Sequence, residues 1–287
     1  MVYRLLAMNT DGTFLDHKGR VTKATKQAIE YAHKKKIAIL LYSGREYSVV
    51  KRLAKALHPS CSLAAHNGAY IASDLDKPIF IQRIPEDCAF DITQFLEAFD
   101  CRIVLENESF SVSNKGRLPK TLIKKNIWQR TQKFLYSQYF VESLVEHLME
   151  ERISPLSIHV EFYKKEDREE ALQALRNMFN EAAFHSKDHN QIQINSKGVS
   201  KWNSIMYAAE RQGISRSEIA VIGAEADDAE AVQQAGIGIA MGNAHESVKA
   251  AADWITRTSD EEGIAYVIKE LFRHQQRMAV EEMSKLD

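Results

Sequence analysis

The residues of this chain with chemical capacity stand in four short stretches, far apart in sequence. Asn9-Thr10-Asp11-Gly12-Thr13-Phe14-Leu15 follows the apolar run Leu5-Leu6-Ala7-Met8, and Ser43-Gly44-Arg45 follows a second run, Ile37 to Tyr42. Farther along come Gly198-Val199-Ser200-Lys201 and the acidic loop Gly223-Ala224-Glu225-Ala226-Asp227-Asp228. A carboxylate such as Asp11 can move a proton. The Ser43 hydroxyl and the backbone N–H groups beside Gly44 can donate to an anion, and Lys201 can add a point charge. Gly12 lets the chain turn sharply. Taken singly, each has an ordinary structural explanation: Ser43 a helix cap, Lys201 a surface cation, Gly12 a turn, Asp11 a residue bonding its own backbone. Their joint occurrence at the ends of apolar runs favours a site.

Such runs need a scaffold that brings their ends together. Thr22 is placed to cap a helix whose Ala24, Ala28, Ile29 and Ala32 share a face, and Ile37 to Tyr42 then reads as a buried strand. The result is a strand-helix-strand unit, continued by a helix from about Tyr47 to Leu57 and a short strand at Ser62 to Ala65. Asn67-Gly68 suits a tight hairpin turn. Strand-helix alternation stops near Pro85. Helix-like segments at Phe90 to Phe99 and Tyr139 to Met149 then stand among strand-like stretches at Cys101 to Leu105 and Ser157 to Phe162. Alternation is expected to resume at Gln191 to Asn195 and to continue through Ile219 to Ile222 and Gly236 to Met241. The expected fold is α/β, a doubly wound, mostly parallel sheet formed by residues 1–84 and 191–287, with 85–190 as an inserted α+β domain. In such a sheet the strand ends, and with them the four stretches, open at one edge.

Composition narrows the class. Hydrophobic residues make up 45% and charged residues 27% of 287 positions, as in ordinary globular proteins. The 38 basic and 39 acidic residues leave a formal net charge of -1, which argues against a nucleic-acid surface spread over the whole molecule. Lys115, Arg117, Lys120, Lys124 and Lys125 form a local basic cluster, read as a solvated face. Cys61, Cys88 and Cys101 are widely spaced, odd in number and without paired Cys-x-x-Cys spacing, so reduced thiols are expected. No apolar run reaches membrane-spanning length, and the N-terminal one is too short for a signal peptide. A cytoplasmic protein without nucleic-acid or membrane partners is expected.

The four stretches, taken in order, resemble the motifs of the haloacid dehalogenase-like phosphatases. Gly198 to Lys201, Met241-Gly242-Asn243-Ala244 and Glu262-Gly263 look like its Cof-type subgroup, whose α+β cap lies where residues 85–190 lie here. The resemblance covers nearly the whole chain. It implies a nucleophile at position 9, a proton carrier at Asp11, and phosphate binding by Thr10, Ser43, Gly44 and Lys201. It further implies substrate-proximal roles for Arg45 and Asn243, and a small phosphorylated metabolite as ligand. Magnesium would be held at Asn9, the Asp11 carbonyl and Asp228, with Asp227 or Glu225 as substitutes.

The chain departs from the family at two of these positions. The first motif, normally Asp-x-Asp-Gly-Thr, begins here with Asn9, and the fourth, usually Gly-Asp-x-x-Asn-Asp, has Ala224 in place of its first Asp. A carboxamide lacks the anion that attacks phosphorus. Losing two carboxylates, each worth about 2 kcal/mol after desolvation, weakens magnesium binding by roughly three orders of magnitude. Two expectations follow. One is a pseudo-phosphatase that binds a phosphorylated ligand with weak or lost hydrolysis, a role that a protein partner would suit. The alternative is an active magnesium-dependent phosphatase working by an altered mechanism.

Overall fold

The computed structural model describes residues 2–14, 21–57, 60–114, 137–186 and 190–283. The basic cluster between Lys115 and Lys125 lies outside them. The described chain falls into two compact units: one from residues up to Phe80 together with those from Ser200, the other from Ile81–Val199 with Glu46–Ser48.

The first unit is built on an eight-stranded sheet. Its strands are β1 (Leu5–Asn9), β2 (Ala38–Tyr42), β3 (Ser62–Ala65), β4 (Tyr70–Asp74), β5 (Lys77–Ile81), β12 (Ile219–Gly223), β13 (Ile237–Ala240) and β14 (Trp254–Ile255). They lie in the order β14-β13-β12-β1-β2-β3-β4-β5. From β14 to β3 neighbours run parallel, and β4 returns antiparallel to β3. All of Leu5, Leu6, Ala7 and Met8 are buried, which is why β1 is a continuous apolar run: a central parallel strand is covered on both faces. Successive strands are added on one side of β1 as far as β5, and on its other side from β12 onward. The direction of winding therefore reverses at β1, the place where open α/β sheets bind ligands.

Register fixes the level of the loops. Asn9 pairs with Tyr42, and Met8 pairs with Ile222 on the other side, so the turns after β1, β2 and β12 begin side by side. Helix α1 (Lys23–Lys34) is capped by the Thr22 hydroxyl, which accepts from the Thr25 N–H, and buries Ala28, Ile29 and Ala32. Helix α2 is Tyr47–Leu57, as the periodicity predicts. The unit is completed by α6 (Lys201–Glu210), α7 (Ala229–Gln234), α8 (Glu246–Ala251) and α9 (Gly263–Met283), which packs against α1.

The second unit carries a six-stranded sheet of β6 (Cys101–Glu106), β7 (Phe110–Asn114), β8 (Ser137–Val141), β9 (Ser157–Phe162), β10 (Ala182–Ser186) and β11 (Gln191–Ser196), in the order β10-β11-β9-β6-β7-β8. Ile103, Leu105, Ile158, Val160, Ile192 and Ile194 form its core with side chains from α3 (Glu86–Leu96), α4 (Leu144–Glu150) and α5 (Lys165–Met178). Two expectations need correction. The strand at 191–195 does not resume the first sheet. It pairs antiparallel with β9 and β10, and the chain returns to the first unit only at Ser200, nine residues later than expected. Its alternation of Gln with Ile is the period of a strand with one apolar face, unlike the unbroken apolar runs of β1 and β12. The segment Tyr139 to Met149 is not one helix. Strand β8 ends at Val141 and α4 begins after Ser143, whose hydroxyl caps it by accepting from the Glu146 N–H. Helix α3 also starts four residues before the expected Phe90, directly after Pro85.

Candidate active site

At the carboxyl end of β1, Asn9 is fully buried and its side-chain amide donates to Asp228 Oδ2 at 2.5 Å. Its other amide atom, Oδ1, accepts from the Asp11 N–H at 3.3 Å, and its carbonyl accepts from the Thr13 hydroxyl. Asp228 is likewise fully buried. The N–H groups of Ala224 and Glu225 each donate to Oδ2 at 2.9 Å, and the Lys201 ammonium donates to Oδ1 at 2.7 Å. Four donors thus converge on this one carboxyl group, the environment of an anion. Gly223 makes the approach possible, since a Cβ there would stand 2.7 Å from the Cβ of Asp228.

Lys201 is the first residue of α6, capped by Ser200, and a cation in the first turn opposes the helix dipole. Its ammonium is compensated by Asp227 at 2.6 Å as well as Asp228 at 2.7 Å. Burial works to lower the lysine's pKa, but the two carboxylates outweigh it and hold the group above its ordinary range. Burial also pushes the Asp228 carboxyl up, with Lys201 opposing. The Glu225 carboxyl is raised by burial and by its neighbours Asp11, Asp228 and Asp227.

A second network joins β1 to β2. The Thr10 hydroxyl donates to Ser43 Oγ at 2.7 Å, Ser43 donates to Asp11 Oδ2 at 3.1 Å, and Ser43 Oγ accepts from the Arg45 N–H at 3.1 Å. The Arg45 guanidinium pairs with the other oxygen of Asp11. Asn243 stands at the rim: its amide donates to the Gly12 carbonyl at 2.8 Å and its oxygen accepts from the Ser259 N–H at 3.0 Å. Gly44 is buried between Ser43 and Arg45. All the expected site residues therefore belong to the first unit, and Asn9 meets Lys201 through Asp228.

Over residues 6–268 the sequence matches the haloacid dehalogenase-like hydrolase family. The chain belongs to that family. Stress response protein YhaX of Bacillus subtilis is 38% identical over 278 residues, covering 96% of each chain. The phosphatase YcsE of the same organism, named for 5-amino-6-(5-phospho-D-ribitylamino)uracil, is 24% identical over 93% of this chain and 94% of its own. Among solved structures, a haloacid dehalogenase-like hydrolase from B. subtilis superposes with a TM-score of 0.81 at 22% identity, covering 93% of this chain and 99% of that one. The subclass IIB sugar phosphatase BT4131 gives 0.76 at 23% identity, covering 93% and 98%. The two-sheet α/β architecture is thus the family's fold, with the second sheet in keeping with a subclass IIB cap.

Magnesium, which the family implies, fits this donor set poorly. It favours six oxygen ligands in near-octahedral geometry. Here position 224 offers a buried methyl group, Asn9 turns its NH2 toward Asp228, and both Asp228 oxygens already accept from N–H groups. Among the described residues no cluster of three His, Cys, Asp or Glu side chains is arranged to hold a metal ion. Two supporting residues escape notice in the sequence. Thr13 ties down the Asn9 carbonyl, and Tyr42, fully buried, donates to the Ile222 carbonyl at 3.0 Å with its ring centroid 5.9 Å from the Lys201 ammonium. A tyrosine closing a buried apolar strand is the available signal, because its hydroxyl must find a partner.

Proposed function

We infer that this family member binds a small phosphorylated metabolite at Thr10, Ser43 and Lys201, and that hydrolysis by a covalent aspartyl route is weak or lost. The contact between the Asn9 amide and Asp228 carries the reading. A group that donates to a carboxylate at 2.5 Å is a neutral N–H donor, with no anion to attack phosphorus. Lys201 at the start of α6 and Arg45 after β2 are cationic donors, and the Thr10 and Ser43 hydroxyls, now donating to Ser43 and Asp11, are free to rotate toward a ligand, which supports retained phosphate recognition. In this reading Asp11 keeps the proton carrier's position without a nucleophile to serve. Asn243 acts on the site by holding the Gly12 turn. A ligand-responsive module with a protein partner is then the natural role.

The second reading is an active magnesium-dependent phosphatase with an altered mechanism, in which Asp11 or Asp227 activates water. It is favoured by the relatives' names. YcsE and the phosphatase YwpJ of B. subtilis, 24% and 25% identical over nearly their full lengths, are named as phosphatases, and taken alone those names favour activity over its loss. Turnover of a phosphate-ester panel with and without magnesium separates the two. Little turnover is expected from the wild type. Robust magnesium-dependent turnover abolished by Asp11→Asn would establish the second reading.

A further inference from the structure

We propose that the site binds phosphate monoesters without a metal ion, the Asn9 amide doing for Asp228 what a cation would otherwise do. This rests on the phosphate-binding reading above and specifies how that binding works. Aspartates at both 9 and 224 would add two negative charges to a pocket that already holds Asp11, Asp227 and Asp228. Such a pocket would admit a phosphate dianion only with a divalent cation in place. With Asn9 and Ala224 those two charges are absent, as many as one divalent ion would neutralise.

Each remaining aspartate is engaged by the chain's own groups, and two cations, Lys201 and Arg45, offset most of the charge of the three, with Glu225 beside them. Lys201 spans Asp227 and Asp228, the Asn9 NH2 and two backbone N–H groups cover the rest of Asp228, and Arg45 pairs with Asp11. Metal coordination by Asp228 would have to displace donors that already satisfy it, whereas a phosphate displaces none of them. Donors for the phosphate remain. Two N–H groups of the Lys201 ammonium are engaged, and the third has no partner among the described residues. The Arg45 side chain is 48% exposed and held by Asp11 alone among the described ion pairs, so its guanidinium has N–H groups to turn toward a ligand.

The test is a titration with inorganic phosphate, followed by calorimetry and by thermal shift, in EDTA and in magnesium at equal ionic strength. The wild type is expected to bind phosphate with a dissociation constant that agrees within about twofold in the two buffers, and to give no saturable heat with magnesium alone. The Asn9→Asp, Ala224→Asp double variant is expected to bind at least about tenfold more weakly in EDTA and to recover with magnesium. Wild-type binding seen only with magnesium overturns metal independence while leaving phosphate recognition standing. Absence of binding in both buffers removes the proposal together with the reading beneath it. The wild-type comparison decides the matter even if the double variant does not fold.

Discussion

Replacing Asn9 by Asp turns the shortest contact of the buried Asp228 carboxyl into a clash of like charges. The new carboxylate oxygen would stand where Nδ2 now lies, 2.5 Å from Asp228 Oδ2, with both groups fully buried. After relaxation to about 3 Å, two unit charges repel by about 5 kcal/mol at an effective dielectric near 20. The pair escapes part of this by sharing a proton, so one of its two ionisations moves well above the ordinary carboxylate range. The folded-state pKa is then raised above the unfolded one. The Asn9→Asp variant would therefore keep its stability below about pH 4, lose it progressively as pH rises, and stand up to about 5 kcal/mol below the wild type once both carboxylates are ionised. Urea unfolding of the wild type and Asn9→Asp at pH 4.5, 7 and 8.5, in EDTA, measures this difference directly. Magnesium should return much of the lost stability to the variant and little to the wild type, because only the variant presents facing carboxylates. A variant as stable as the wild type at pH 8.5 in EDTA, or a deficit independent of pH, would refute the reasoning, since the amide would then be replaceable as the neutral partner of Asp228.

Asn9→Asp with Ala224→Asp should raise magnesium-dependent phosphatase turnover well beyond the product of the two single changes, because nucleophile and metal ligand act as one unit. Multiplicative or absent gains on an ester panel would mean that other pocket residues limit catalysis. Gly12→Ala should cost about 1–3 kcal/mol in urea unfolding, since Gly12 has φ +69° and an added Cβ would lie 2.9 Å from the Ala224 Cβ. An unchanged midpoint would show that this turn can shift. The thiols of Cys61, Cys88 and Cys101 are all buried, and burial pushes them up to about 12, 11 and 12. In a native-state assay with an aromatic disulfide reagent at pH 7.5, each should react at least about a hundredfold more slowly than after denaturation. A fast native thiol would contradict their burial.

The sequence and the structure agree most closely where one physical cause dominates. Leu5 to Met8 and Ile219 to Ile222 are unbroken apolar runs because a central parallel strand is covered on both faces, so strand position and loop position are legible together. Thr22 and the Ala28, Ile29, Ala32 face give α1 for a similar reason: one cap and one period point the same way. Where two causes compete the reading slips. Gln191–Ser196 carries the two-residue alternation of an antiparallel strand, yet its place just before Gly198 to Lys201 suggests the first sheet. Tyr139 to Met149 hides a strand end and a helix start behind apolar residues that suit either period, with Ser143 as the overlooked cap.

The site itself divides along the same line. Its residue types are visible locally, each at the end of an apolar strand or the start of a helix. What joins them is not local: Asn9 and Asp228 are 219 residues apart, and the donors around Asp228 include two backbone groups that no side-chain pattern encodes. From residue types alone, Asn9 is a missing nucleophile and Ala224 a missing ligand, two separate defects. The geometry makes them parts of one arrangement. Asn9 supplies a hydrogen to a carboxylate that would repel another acid, and Ala224 packs an uncharged methyl against the Gly12 turn where a further acid would crowd Glu225 and Asp11. Restoring either acid alone should therefore leave an unbalanced charge, which is why the single and double reversions differ in what they test.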